Sequence, residues 1–136
     1  MDTDAIVAAM RCPSGASAEI IRKARRGKAA LLLSVPLAME YEAVCLRPEH
    51  QLAAGLGEQK VCIFVDAVIA IAEPVKIHYL WRPQLRDPSD EMVLETALNG
   101  RANLLITFNV RDYGTAPARF GIAVMTQREA VERISK

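Results

Sequence analysis

Apolar positions along the chain recur at helical spacing in six stretches and bunch into short continuous runs in between. Asp4 to Met10 predicts a short helix, closed by the turn Cys12-Pro13-Ser14-Gly15, and Ser17 is suited to cap a second helix running to Gly27. Ile20, Ile21 and Ala24 share one side of that helix, and its opposite side is basic. Ala30 to Leu33 is uniformly apolar, as expected of a parallel strand covered on both faces. Pro36 opens a helix to about Leu46 with Leu37, Tyr41 and Val44 inward. Glu58 to Ala72 predicts a longer helix whose core side carries Val61, Phe64, Val65, Val68, Ile69 and Ala72. Its far side holds Ile63, Ala67, Ala70 and Ile71, so burial on two sides is expected, by a homodimer, a partner or another helix of the chain. Val75 to Tyr79, Asn103 to Thr107 and Gly121 to Val124 read as strands, and Ser89 to Asn99 and Thr126 to Ile134 as helices. Strands alternating with helices give an α/β fold, a three-layer α/β/α sandwich with a mainly parallel sheet, whose site belongs at the carboxyl ends of the strands.

Composition narrows the class. With 136 residues, 51% hydrophobic and 24% charged, one domain over 1–136 is expected and a disordered or low-complexity chain is excluded. Lys+Arg 17 against Asp+Glu 16 leaves a net charge of +1, so contact with nucleic acid has to come from a local patch. Three cysteines, Cys12, Cys45 and Cys62, lie far apart among apolar residues, which fits reduced thiols in a core. The acidic start Met1-Asp2-Thr3-Asp4 differs from a basic signal peptide, and no apolar run reaches membrane-spanning length. A cytoplasmic location without membrane association is expected.

Three acids share faces with apolar neighbours. Glu40 falls between Leu37 and Val44, whereas Glu42 lies away from that stripe. Asp90 precedes Val93, Leu94 and Ala97 by three, four and seven residues, on the buried edge of a first turn, with Glu91 and Glu95 pointing away. Asp2 and Asp4 stand directly ahead of Ala5-Ile6-Val7-Ala8-Ala9. Asp87-Pro88-Ser89-Asp90 also reads as a plain helix start with Asp87 as N-cap, and Glu40 as an ion-pair partner at a helix edge. Together the three acids are better explained by one shared site. Inward carboxylates are costly unless neutralised, and a set of oxygen donors without a His or Cys cluster suits Mg²⁺ or Mn²⁺.

In order, Asp2 to Ala9, Ser14 to Ser17, Glu40 to Val44, Arg86 to Ala97 and Leu105 to Asn109 are similar to the signatures of PIN-domain ribonucleases, nearest to the toxin components of bacterial toxin-antitoxin systems. The resemblance covers nearly the whole chain. It implies a PIN fold whose acidic residues bind Mg²⁺ or Mn²⁺ to cut single-stranded RNA, with an antitoxin as protein partner. By position, Asp2 matches the family's first acid, Glu40 the second and Asp90 the third. Asn109 stands where many members carry a fourth acid, so catalysis is assigned to Asp2, Glu40, Asp90 and Asn109, and extra metal charge to Asp87 or Asp112 nearby. Asp4 occupies a position usually held by Asn and returns some of that charge. Family members carry an apolar strand, central in the sheet, leading into the first acid. Only Met1 precedes Asp2 here, so either further apolar residues lie upstream or the sheet lacks that strand, and the Met1 amino group competes with metal for the carboxylates.

The chemistry this implies is metal-assisted phosphodiester hydrolysis with no side-chain nucleophile. Arg82, Arg86 and Arg111 flank the acids and are the expected RNA contacts, with Trp81 as a stacking candidate. Arg22, Lys23, Arg25, Arg26 and Lys28 form a basic helix face that reads first as solvated surface. His50 and His78 are isolated and unsuited to a base, and Thr107 is placed to hydrogen-bond an acid or water. A different class of function, a PIN-like module that has lost catalysis and binds RNA or protein, is suggested by Asn109. A metal-dependent phosphatase is the third reading.

Overall fold

A computed structural model describes residues 1–78, 85 and 87–135. In chain order these form α1 (Thr3–Arg11), α2 (Ala16–Arg25), β1 (Leu32–Leu33), α3 (Val35–Cys45), α4 (Pro48–Ala54), α5 (Glu58–Ile71) and β2 (Glu73–Pro74). There follow α6 (Pro88–Asn99), β3 (Leu104–Ile106), a 3-10 turn (Val110–Tyr113), α7 (Ala116–Arg119), β4 (Ala123–Met125) and α8 (Gln127–Ser135). Helices joined to short parallel strands make this an α/β protein.

Local chemistry sets the boundaries. Ser34 caps α3 by accepting the Leu37 N–H, with Pro36 in the first turn, and Asp87 caps α6 by accepting the Ser89 N–H, with Pro88 in the same place. In α2 the cap is Gly15, two residues ahead of Ser17; Ser17 is instead buried in the first helical turn. The strand expected over Val75 to Tyr79 is displaced to Glu73–Pro74, and Tyr79 lies outside the described residues. The periodicity missed α4, α7 and the 3-10 turn, which are too short to show a repeat.

The parallel pairing is as expected, but the described strands form two separate pairs, β1 with β2 and β3 with β4, and no continuous sheet. A cavity of ≈ 430 Å³ lies between them, lined by Leu31 and Leu32 on one side, Leu104, Leu105 and Ile106 on the other, and Met1. Alternate residues of a parallel strand bond to opposite neighbours. Leu31 and Leu33 accept from Glu73 and Val75, so the peptide groups of Leu32 face the cavity. Asn103 and Thr107 bond to β4, which turns Leu104 and Ile106 the other way, and the Asp2 N–H donates to the Ile106 carbonyl at 2.8 Å. Met1 and Asp2 thus make one rung where a strand between the pairs would run.

The main core joins both halves through Ile6, Leu33, Leu37, Tyr41, Val61, Val65, Leu94 and Leu105. Gly100, at the end of α6, is required by close approach: a Cβ there would meet Leu32 Cδ1 at 2.8 Å and Val75 Cγ2 at 2.9 Å. On α5, Val61, Val65 and Val68 are buried as expected, while Ile69 on the predicted core side is exposed because the buried stripe is narrower than its apolar sequence. On the far side Ile63, Ala67 and Ala70 are exposed in the single chain. Of the cysteines only Cys45 is fully buried, its thiol pushed up to about 11 by burial. Cys12 is exposed, since its turn lies outside the core. Among the described residues no helix is long and apolar enough to cross a membrane.

Candidate active site

The start of α1 and the end of β3 meet. Asp2 is buried and its Oδ2 accepts from Thr107 Oγ1 at 2.8 Å and from the Tyr113 hydroxyl at 2.9 Å. Thr107 is fully buried at the carboxyl end of β3, where its hydroxyl is shared with Asp4 Oδ2 at 3.1 Å and accepts the Asn109 N–H at 3.0 Å. The expectation that Thr107 bonds an acid is therefore met twice. Asp4 Oδ2 also accepts the Phe108 N–H at 3.1 Å and Asn109 Nδ2 at 3.2 Å, while Asp4 Oδ1 is buried with no partner.

The second group comes from helix starts. Asp90 sits in the first turn of α6, and Ser89 beside it donates to Glu40 Oε1 on α3 at 3.3 Å, so one hydroxyl links the two acids' helices. Burial first, and then the charges of Asp2, Asp87, Asp112 and Asp4, push the Asp90 carboxyl up to about 6. Burial and the neighbouring Asp2 do the same to Asp4, also to about 6. Asp2, Asp4, Asp87, Asp90 and Asp112 thus share one electrostatic neighbourhood across 110 positions of sequence. Tyr113 is held fully protonated by burial and by Asp2, so its hydroxyl remains a donor.

Beside Asp90 opens a cleft of ≈ 790 Å³, lined by Asp87, Asp90, Arg111, Asp112, Tyr113 and Arg119 among others. Arg111 is exposed there, and Arg119, which the linear reading missed, supplies a second cation. Trp81, Arg82 and Arg86 lie outside the described residues. The Met1 amino group is buried and its pKa lowered chiefly by desolvation, which weakens its competition for the carboxylates.

Two sequence expectations are corrected. Glu91 and Glu95 do not point away but are buried, at 4% and 5% exposure. Two described residues ahead of α6 bond to this face: the Leu85 N–H donates to Glu91 Oε1 at 2.6 Å, and the His78 N–H to Asn99 Oδ1 at 2.8 Å. Tyr113 was absent from the expected site, since its contact with Asp2 spans 111 positions and leaves no local pattern.

The donors facing one another are oxygens, the set hard divalent ions prefer, and the orphaned Asp4 Oδ1 is a buried acceptor that such an ion would satisfy. Among the described residues no group of three or more acids, cysteines or histidines is drawn together closely enough to hold a metal ion by itself. That is compatible with Mg²⁺, which commonly takes one or two carboxylates and completes its shell with water and substrate phosphate. In class, then, this is an α/β protein with an acidic site at the carboxyl end of a parallel strand. The family model of the PIN domain matches residues 1–111, and the chain belongs to that family, whose members are commonly nucleases. Neither curated proteins nor solved structures gave a match.

Proposed function

We propose that this protein is a Mg²⁺- or Mn²⁺-dependent endoribonuclease that hydrolyses phosphodiesters of single-stranded RNA. In this reading it is a cytoplasmic toxin held by an antitoxin protein, one domain over 1–136 that completes a three-layer sandwich and pairs as a homodimer. The observation that carries the catalytic part is Asp90, set at the start of α6 within the field of four other carboxylates. Asp2, Glu40 and Asp90 hold the ion, with Asp87 and Asp112 as the nearest reserves of charge. When bound, the ion supplies Lewis-acid stabilisation of the phosphate and activation of water. The chain's own task is placement. Thr107 and Tyr113 fix the Asp2 carboxylate, Ser89 steadies Glu40, and Arg111 meets an RNA phosphate at the cleft.

A binding module without catalysis is the second reading, favoured because no group of three or more acids, cysteines or histidines among the described residues is close enough to hold a metal ion. RNA cleavage in Mn²⁺, measured beside Mn²⁺ calorimetry, separates the two. Asp90→Asn is expected to keep the fold and lose cleavage by ~100-fold or more, in the range set by losing a transition-state contact. Intact RNA binding by wild type with no metal uptake and no cleavage supports the module instead.

A further inference from the structure

The Asp4 carboxylate is divided. Its Oδ2 takes three donors, Thr107 Oγ1, the Phe108 N–H and Asn109 Nδ2, all within 3.2 Å and all from the segment that follows β3. Its Oδ1 is buried and takes none. Three donors from one rigid connection fix the carboxylate's rotamer, and therefore the direction in which the bare oxygen points. A buried acceptor left without a donor is expensive, and the ion pairs seen between described residues, Arg22 and Lys23 with Glu19, bring no cation to Asp4. Asp2, two positions earlier, makes the arrangement harder to sustain without a cation, because its own Oδ2 is bound to the same Thr107 hydroxyl.

Asn109 has a definite orientation in this arrangement. Its amide nitrogen must face Asp4, since the amide oxygen turned that way would oppose a carboxylate. Its side-chain donor is thereby engaged in holding Asp4, which is the behaviour of a group that positions a ligand.

We propose that Asp4 is a direct carboxylate ligand of the divalent cation through Oδ1, and that Asn109 is the positioning residue that holds Asp4 for it. The inference rests on the cation-dependent reading above and adds a ligand to it. It also accounts for how the site keeps its charge with an amide at position 109.

The test measures binding of Mn²⁺ alone to the full chain, by calorimetry and by the electron paramagnetic resonance of the free ion, with no RNA present. Asp4→Asn is expected to weaken Mn²⁺ binding ~10-fold or more, and Asn109→Leu by ~3–10-fold, the lower range of losing an outer-shell partner. The double variant Asp4→Asn/Asn109→Asp, which moves the carboxylate across the contact, is expected to recover most of the lost affinity. A merely structural role would not give that recovery. Circular dichroism checks folding, and if Asp4→Asn does not fold, Asn109→Leu decides, because it leaves Asp4 in place. Mn²⁺ affinity unchanged in Asp4→Asn, or in Asn109→Leu where that variant decides, but lost in Asp2→Asn overturns the role of Asp4 and leaves the cation reading standing. A wild-type chain that takes up no Mn²⁺ overturns both.

Discussion

Thr107 is a small side chain that serves both Asp2 and Asp4. Its one hydroxyl proton is shared by two carboxylates, and its oxygen accepts a backbone N–H, all with no exposure to solvent. Thr107→Val preserves the shape but removes the donor between Asp2 and Asp4, leaving buried acceptors short of a partner. The expected cost is ~1–3 kcal/mol of stability, read as a fall in the urea midpoint at unchanged m-value. Residues of this kind were partly legible in the sequence. A Thr at a strand end and acids on apolar faces are local features, so Asp2, Glu40, Asp90 and Thr107 stand out in one dimension. Tyr113 does not, because a tyrosine becomes an orienting donor only through the fold that carries it to Asp2. The burial of Glu91 was equally hidden, since the N–H that satisfies it comes from Leu85, in the segment before its own helix.

Among the elements, α5 leaves large apolar side chains bare in a single chain, as α3 does at Met39 and α4 at Leu52. Val61, Val65 and Val68 face the core, while Ile63 is 62% exposed on the far side of the helix. The proposed homodimer gives that side its cover. Wild type is expected to sediment as a dimer at micromolar concentration and Ile63→Glu as a monomer, with folding stability changed by no more than ~0.5 kcal/mol, as for other exposed positions. A monomeric wild type removes the dimer from the proposal. Helix existence was the most readable level of the fold: α1, α3, α5, α6 and α8 announce themselves by period or by cap. The strands were readable as apolar runs, yet their pairing was not. Partition into two pairs depends on what lies between β1 and β3, which neither run encodes.

For the whole molecule, the acidic site makes stability depend on pH in an unusual direction. Asp4 and Asp90 rise from the ordinary 3.8 to about 6 on folding, so between those values the folded chain holds protons that the unfolded chain has released. Their contribution is fully present below pH 3.8 and is lost as pH rises through about 6. Asp4, the more buried, carries most of it, and solvent screens more of the effect at Asp90. In EDTA, Asp4→Asn should therefore gain stability relative to wild type as pH is raised from 4 to 7, measured by urea midpoints at each pH. A difference that shrinks over that range contradicts the assignment. Added Mn²⁺ should stabilise wild type more at pH 7 than at pH 4.5, because only the ionised carboxylates bind it. The separation of the two strand pairs carries a consequence of its own for isotope labelling in heavy water. Amide hydrogens of Glu73, Val75, Thr107 and Ala123, locked into β1–β2 or β3–β4, should be retained longest. Those of Leu32 and Leu104, aimed at the space between the pairs, should give way to deuterium first, so the middle of this fold would label ahead of its flanks.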